Sequence, residues 1–466
     1  MPQEHPPEAP RESVGEQARV LLKLGLPLIG SHLAQLGIVT TDTIMMGWYG
    51  VNPLAALSLS GPIFFILFIL GSGFAIALMP KIARALAKED NQQIRRVTRM
   101  GIWLSVLYGL AVTPFFLLAG PLLAAAGQDP EVARLSGNYL SILGLSMVPA
   151  LLVMVLRNYL TALELTRSIL IYTLITIVLN AFINYALIFG NWGAPELGIE
   201  GAAIASVIGN LFMFAAFVVH SMRHRPEHQL FRNIHKPDWP AFWEVYRLGW
   251  PIGLTIMAES ALFGATSFMM GWVGTVELAA HGIALQITSL TFMAHVGLSS
   301  AITVRTGATW GNASLERVRA IGFAGALLAF FFVAVTVAAF LGMPETLIDF
   351  YLDPEEPERA QILVFGTVFL AVAALFQLVD AAQIHGLGLL RGVQDTKVPM
   401  KIAIISYWGF GMPVAYFLGF HSRLEGAGIW LGLTLGLAIA AILLQHRFWT
   451  RYGSGRITPP ASEANP

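Results

Sequence analysis

No cysteine occurs among the 466 residues of this chain. That absence excludes disulfides, thiolate metal sites and cysteine nucleophiles together. Charge is scarce as well. Only 12% of residues are charged, against about 25% in an ordinary soluble domain. The net charge is zero and the pI is about 7.2, so no nucleic-acid partner is indicated. The sequence holds no phosphate-cradling loop, no HExxH and no GxSxG. The stretch GSGFAI at 71–76 echoes a dinucleotide fingerprint only faintly, and it follows an apolar helix rather than a strand. Histidines are few near the apolar segments. His32, His281, His295 and His385 stand singly, without metal-ligand spacing, which points to packing or hydrogen bonding. No ATP-driven chemistry is visible within the chain, so any uphill work must draw on an ion gradient. No His, Asp or Ser cluster at catalytic spacing suggests an intramembrane enzyme.

What the chain does hold is apolar surface. Hydrophobic residues make up 56%, and the mean hydropathy is +0.66. One aqueous core cannot bury that much apolar surface, so the sequence reads as a polytopic membrane protein. A spanning helix needs about 20 apolar residues. Twelve such stretches are expected, near 20–46, 53–80, 97–119, 135–160, 166–189, 199–221, 243–271, 276–304, 319–342, 360–388, 398–419 and 426–449. An even number of spans puts both termini on one side. With the termini inside, inner segments carry 24 of the 28 basic residues. The outer loops hold Arg134, Arg359 and Arg423, and Arg157 lies near the inner end of its span. The positive-inside bias therefore predicts cytoplasmic termini. Residues 1–19 and 451–466 are polar and read as disordered cytoplasmic tails. The first lacks the basic start and apolar core of a secretory signal. A monomer is expected.

The chain repeats itself. Residues 45–56, MMGWYGVNPLAA, match 269–280, MMGWVGTVELAA, at eight of twelve positions, with an offset of 224. At that offset Gly25 and Pro27 correspond to Gly249 and Pro251, Gly73 to Gly297, and Ala77 to Ala301. Further on, Thr166 pairs with Thr396 and Glu200-Gly201-Ala202 with Glu425-Gly426-Ala427, at slightly larger offsets. Glycine, proline and tryptophan stay in register, as in a true duplication. The expected fold is an all-α integral membrane protein. Its twelve transmembrane helices form two pseudo-symmetric six-helix bundles, 20–221 and 243–450, joined by a basic linker at 222–242. Each half holds an even number of spans, so the pseudo-twofold axis runs along the membrane normal, with a central cavity between the lobes.

Carboxylates deep in a bilayer are costly, at about 2.5–3.5 kcal/mol each by insertion scales. Three acids fall well inside spans: Asp42, Glu259 and Asp380. No basic residue is expected at comparable depth. Such acids can load and release a proton, hold a metal cation, or attract a cationic substrate. They are not repeat-equivalents, because Asp42 faces Thr266, Glu259 faces Gln35, and Asp380 faces Ala150. Asn180 and Asn184 are four apart and share a helix face. Their amide oxygens can join a carboxylate around a hard cation, or bond between helices. Gln286, Gln377 and Gln383 are polar positions of the same kind. Pro27, Pro62, Pro114, Pro149, Pro251 and Pro413 interrupt spans and are expected to kink them.

Four stretches then carry a family resemblance: LGLPLIG; TDTIMMGWYGVNPLAALSLS; LNAFINYALIFGNWGAPELGIEGAAIAS; and GLLRGVQDTKVPM. They resemble the multidrug and toxic compound extrusion (MATE) transporters, in particular the NorM-like branch, over about 20–450. The resemblance implies two six-helix bundles around a V-shaped cavity. It implies alternating access, with export of organic cations and other hydrophobic drugs coupled to inward Na+ or H+, and no cofactor beyond that ion. Asp42, Glu259 and Asp380 match the family's acids in the first, seventh and tenth helices. They are the implied cation-coupling and drug-binding residues, and the Na+ ligands if sodium is the coupling ion. Asn180 and Asn184 match polar residues of the N-lobe cation site, and Gln286 joins the expected substrate contacts. Ser206 stands where many members have threonine, and it keeps the hydroxyl. The alternative within the superfamily is a lipid-linked oligosaccharide flippase. A basic cavity would suit pyrophosphate there, whereas the intramembrane charges here are acidic.

Overall fold

The computed structural model describes residues 13–312, 314–355 and 357–457. Among these the architecture is helical, and eleven helices, or twelve if one bent pair is a single span, are long and apolar enough to cross a membrane. In chain order they are α1 (Val14–Tyr49), α2 (Val51–Ala87), α3 (Asn91–Leu117) and α4, the bent pair Pro130–Gly144 and Met147–Ala162. Next come α5 (Thr166–Phe189), α6 (Ile199–His224), α7 (Trp239–Val273) and α8 (Thr275–Gly311). The last four are α9 (Leu315–Gly342), α10 (Arg359–Gly392), α11 (Lys397–Phe420) and α12 (Glu425–Tyr452). The shortest unbroken spans have 24 residues. At 1.5 Å per residue that is about 36 Å, enough for the roughly 30 Å hydrocarbon core.

Local chemistry sets the ends. Asp90 caps α3 by accepting from the Gln93 N–H at 2.8 Å. Asp129 caps α4 through the N–H groups of Glu131 and Val132, with Pro130 in the first turn. Gly190 closes α5 in the left-handed region, at φ 69°. Prolines mark two of the interruptions. The two parts of α4 meet at 47°, just before Pro149, and α11 is π-wound from Ile405 to Gly411, just before Pro413. A proline leaves the preceding turn one donor short, and the chain bends or rewinds there. Pro27, Pro62, Pro114 and Pro251 lie inside continuous helices.

The duplication is visible in backbone geometry. Glu164 and Gln394, 230 apart, both take a left-handed φ, at 63° and 64°. Gly50 and Gly274, 224 apart, are both extended where they precede α2 and α8.

By packing, the residues group into two units. One holds 27–261 with 394–404; the other holds 1–26, 262–393 and 405–466. The start of α1 thus packs with the α8 unit, and the start of α7 with the α2 unit. Repeat-related glycines make these crossings. In one unit, a Cβ on Gly249 would lie 2.7 Å from the Cα of Phe74. In the other, a Cβ on Gly25 would lie 3.7 Å from the Cα of Leu298, which is the repeat counterpart of Phe74.

The segment 222–242 is fastened to its own unit. Asp238 accepts from Arg96 Nε at 2.5 Å and from its terminal nitrogen at 3.1 Å, with Arg99 at 3.6 Å. The Trp103 indole donates to the carbonyl of Ile234, and buried His228 meets the Tyr159 hydroxyl at 2.6 Å. Nearby, Lys81 pairs with Glu244. Most of the expected tails lies outside the described residues. Within them, 14–19 already belong to α1, where Gln17 is buried, 451–452 end α12, and 453–457 form the turn after it.

Candidate functional site

Three helices of the first unit converge on one carboxylate. Asp42 lies on α1, two turns before its end, and is buried. Asn180 and Asn184 sit one turn apart on α5, so both amides project from one face. Both are buried, Asn184 completely. Asn184 Nδ2 donates to Asp42 Oδ1 at 2.5 Å and to Asn180 Oδ1 at 3.1 Å. Ser206 on α6 and Asn180 also hydrogen-bond the Asp42 carboxyl. The Asn184 amide has spent both its hydrogens inside the cluster. Its carbonyl oxygen is buried with no hydrogen-bond partner. Leaving such an acceptor unmet costs about 1–3 kcal/mol.

The donor set is hard oxygen: one carboxylate, two amide oxygens and one hydroxyl. No group of three or more His, Cys, Asp or Glu side chains among the described residues could hold a metal. A cation here would meet a single formal negative charge. One charge balances a proton or a monovalent ion such as Na+, and it undercompensates a divalent ion in a low-dielectric site. Sodium would call on the amide oxygens, and for Asn184 that means turning the amide now donating to Asp42. A proton needs only the carboxylate.

Asp380 lies in the second unit, on α10, and is almost completely buried. Two glutamines flank it, one at each i±3 position. Gln377 donates to Thr291 Oγ1 at 2.7 Å and to the carbonyl of Thr288 at 3.3 Å, both on α8. Gln383 donates to the Tyr407 hydroxyl of α11 at 2.6 Å. Each amide uses its nitrogen to tie α10 to a neighbour, and each leaves a buried carbonyl oxygen without a hydrogen bond. His295 of α8 is buried with neither ring nitrogen bonded. It lies four residues after Thr291, which meets Gln377. It lies four before Ser299, whose hydroxyl donates to the carbonyl of Ile384 at 3.0 Å. By that register His295 stands at the level of Asp380.

The other expected residues are placed separately. Glu259 is buried on α7. It is not among the hydrogen-bond partners of Asp42. Gln286 is exposed on α8. His281 is buried against Trp430 and pairs with Ser267.

A buried cation is the feature least visible in the sequence. Arg157 of α4 is only 5% exposed. It donates to Gln35 Oε1 at 2.7 Å and Ser31 Oγ at 3.1 Å, and it approaches His32 Nδ1 at 3.4 Å. These partners are neutral and span little more than one turn of α1, between Pro27 and Asp42. Ser31 also meets Thr173 Oγ1 of α5 at 3.1 Å. The position of Arg157, three residues from the end of the expected span 135–160, suggests an arginine near the inner end of that span. The three polar side chains on one stripe of α1 were the available signal of a buried partner.

A profile of the family described as MatE matches residues 27–186 and 251–417. A protein of Rhizobium meliloti named "Probable multidrug resistance protein NorM" is 45% identical over 95% of this chain and 96% of its own length. One of the same name from Agrobacterium fabrum is 42% identical over 92% and 93%. Among solved structures, "MATE in the bent conformation" superposes with a TM-score of 0.85 at 18% identity, covering 95% of this chain and 97% of its own.

Proposed function

This chain belongs to the MatE family, and from that premise we propose that it is a multidrug efflux antiporter. It exports hydrophobic organic cations in exchange for inward H+ or Na+, by alternating access between the two six-helix halves, 20–221 and 243–450. The observation that carries this reading is the buried oxygen cluster of Asp42, Asn180, Asn184 and Ser206. It has one negative charge to balance one coupling cation. The unmet Asn184 oxygen is one further ligand. Asp380 and Glu259 are the two other buried acids, each taken by itself as a cation-binding candidate. Cation loading at these acids stabilises the outward-facing state and weakens the hold on drug. The two ligands act by differential affinity for the two states. The acids attract the cationic drug, and Gln286 adds a polar contact. The basic residues gathered on one side support cytoplasmic termini in the bacterial inner membrane. Transport by one chain, without catalysis, completes the reading. The flippase alternative fares less well, because the buried cation that could meet a pyrophosphate, Arg157, is sealed among neutral acceptors of α1.

The test is drug accumulation in cells lacking their own efflux pumps. The wild-type chain should lower accumulation of a cationic dye. Asp42→Asn and Asp380→Asn, expressed at the same membrane level, should return it to the pump-free value. Full efflux by both variants would remove the carboxylates from the mechanism.

A further inference from the structure

On the second unit, α9, α10 and α12 enclose a groove of about 330 Å³. Its floor is α10, where Ala381 and Ala382 leave room. Its walls are Phe323 and Phe330 of α9 and Trp449 of α12. Phe323 and Phe330 are 55% and 65% exposed, on a helix long and apolar enough to cross a membrane. The polar groups beneath the groove are used up. His385 Nε2 donates to the carbonyl of Gly322 at 3.0 Å, and its Nδ1 accepts from Gln445 Nε2 at 2.9 Å. Gln445 also donates to the carbonyl of Ala382, and its Oε1 accepts from the Trp449 indole at 3.1 Å. What remains facing outward is methyl groups and ring faces. An alkyl chain satisfies that lining and a polar solute does not.

One end of the groove is built differently. From Phe448 to Tyr452 the helix is π-wound, and the Gly453 N–H reaches the carbonyl of Phe448. Arg319 of α9 donates through Nε to the Gly453 carbonyl at 2.5 Å, which locks the wide turn against α9. The turn brings Trp449 over Phe323, with ring centroids 4.8 Å apart, and leaves Arg451 exposed just beyond. At this end, residues 315–319 and 447–457 carry five arginines, at 317, 319, 447, 451 and 456, against one carboxylate, Glu316. The groove therefore runs from an apolar slot to a cationic rim within two helical turns.

We propose that this groove is a binding site for an anionic phospholipid of the arginine-rich leaflet. One acyl chain lies along Ala381, Ala382 and Phe330, and the phosphate sits against the arginine rim. Apolar slot and charge at one mouth select this class over a zwitterionic lipid, because juxtamembrane arginines attract net negative head groups. The site is separate from the acids of the proposed transport path, so neither reading depends on the other.

Trp449 reports on the site directly. The purified chain is reconstituted in vesicles of phosphatidylglycerol and phosphatidylcholine, with bromine on the acyl chains of one lipid at a time. The Trp449 signal is taken as the difference between the wild type and Trp449→Phe. Brominated phosphatidylglycerol should quench that signal more strongly than brominated phosphatidylcholine at equal mole fraction. The double variant Arg451→Gln/Arg456→Gln should lower the lipid preference about fivefold per arginine removed. Both arginines are exposed, so folding is not at stake. Equal quenching by the two lipids, or none by either, overturns the proposal. Release of quenching by millimolar inorganic phosphate would also overturn it, since the site would then recognise phosphate rather than lipid.

Discussion

Both units bury an acid beside two side-chain amides, and they arrange them in opposite ways. In the first, Asp42 receives its hydrogen bonds from other helices, and Asn184 turns its nitrogen toward the carboxylate. In the second, Gln377 and Gln383 share one helix with Asp380 and turn their nitrogens away, toward Thr291 and Tyr407. The first cluster is an acid already solvated by protein. In the second, the carbonyl oxygens of Gln377 and Gln383 and both ring nitrogens of His295 are buried without a hydrogen bond. A duplicated scaffold has therefore kept its helices and glycine crossings while its polar chemistry diverged. The same holds for the buried cation. Arg157 has Leu387 as its repeat counterpart, and its partner Gln35 corresponds to Glu259. Where one half has a cation and its amide acceptor, the other has a leucine and a carboxylic acid.

The comparison can be broken by exchange. The largest effect is expected from Asp380→Asn, which should reduce gradient-driven drug export to background while leaving the folded yield unchanged. Next comes the clamp on α1. Arg157→Leu, which installs the residue of the second half, removes the donor from Gln35 and leaves Ser31 with Thr173 alone, at about 1–3 kcal/mol for an acceptor left buried and unmet. A fall in the thermal unfolding midpoint of the detergent-solubilised chain would register it. An unchanged midpoint would mean that the clamp is not holding α1.

A smaller effect sharpens the first cluster. A double-mutant cycle of Asp42→Ala and Asn184→Ala should give a coupling of about 1.5–3 kcal/mol, the range for hydrogen bonds to charged groups. Additive losses would show that the pair is not bonded. The glycine crossings should respond unequally. Gly249→Ala overpacks against the Phe74 backbone and should cost about 1–3 kcal/mol. Gly25→Ala meets only ordinary contact distances and should be neutral, or stabilising by about 0.5–1 kcal/mol as a helix interior gains an alanine. Equal losses at the two sites would contradict the packing described.

The smallest effect concerns the linker and has a definite sign. The Arg96 guanidinium bonded to Asp238 holds its carboxyl below the usual carboxylate range. The pair therefore adds stability that is fully present above the ordinary carboxylate pKa and is lost as pH falls through the lowered one. Asp238→Asn should flatten that acid limb slightly. An acid limb with the same slope in the variant would assign it to other carboxylates.

Much of the helical frame was legible in the sequence. Apolar runs of about 20 residues place the spans, and for 166–189 the expected and observed bounds coincide. Short helices at Ala119–Ala125 and Pro344–Asp349 were not foreseen, since such pieces are too brief to show a period. The break at 144–147 had only Pro149 to signal it. The spacing of Asn180 and Asn184 gave their common face, but the contact with Asp42 joins residues 142 apart and depends on how α1 and α5 are set beside each other. Hydropathy located Arg157 along its helix but not around it, and so missed its burial. The basic composition of 222–242 marked it as a linker but not where it is fastened, because its partners, Arg96, Arg99 and Trp103, belong to another helix.

The most direct test of ion-coupled export is dye movement in proteoliposomes. A cationic dye is followed under an imposed Na+ gradient and, separately, under an imposed pH gradient. The account predicts uphill movement under one of the two, abolished by Asp42→Asn and by Asp380→Asn. Movement of several dyes only down their own gradients, indifferent to both ions and both substitutions, would contradict it.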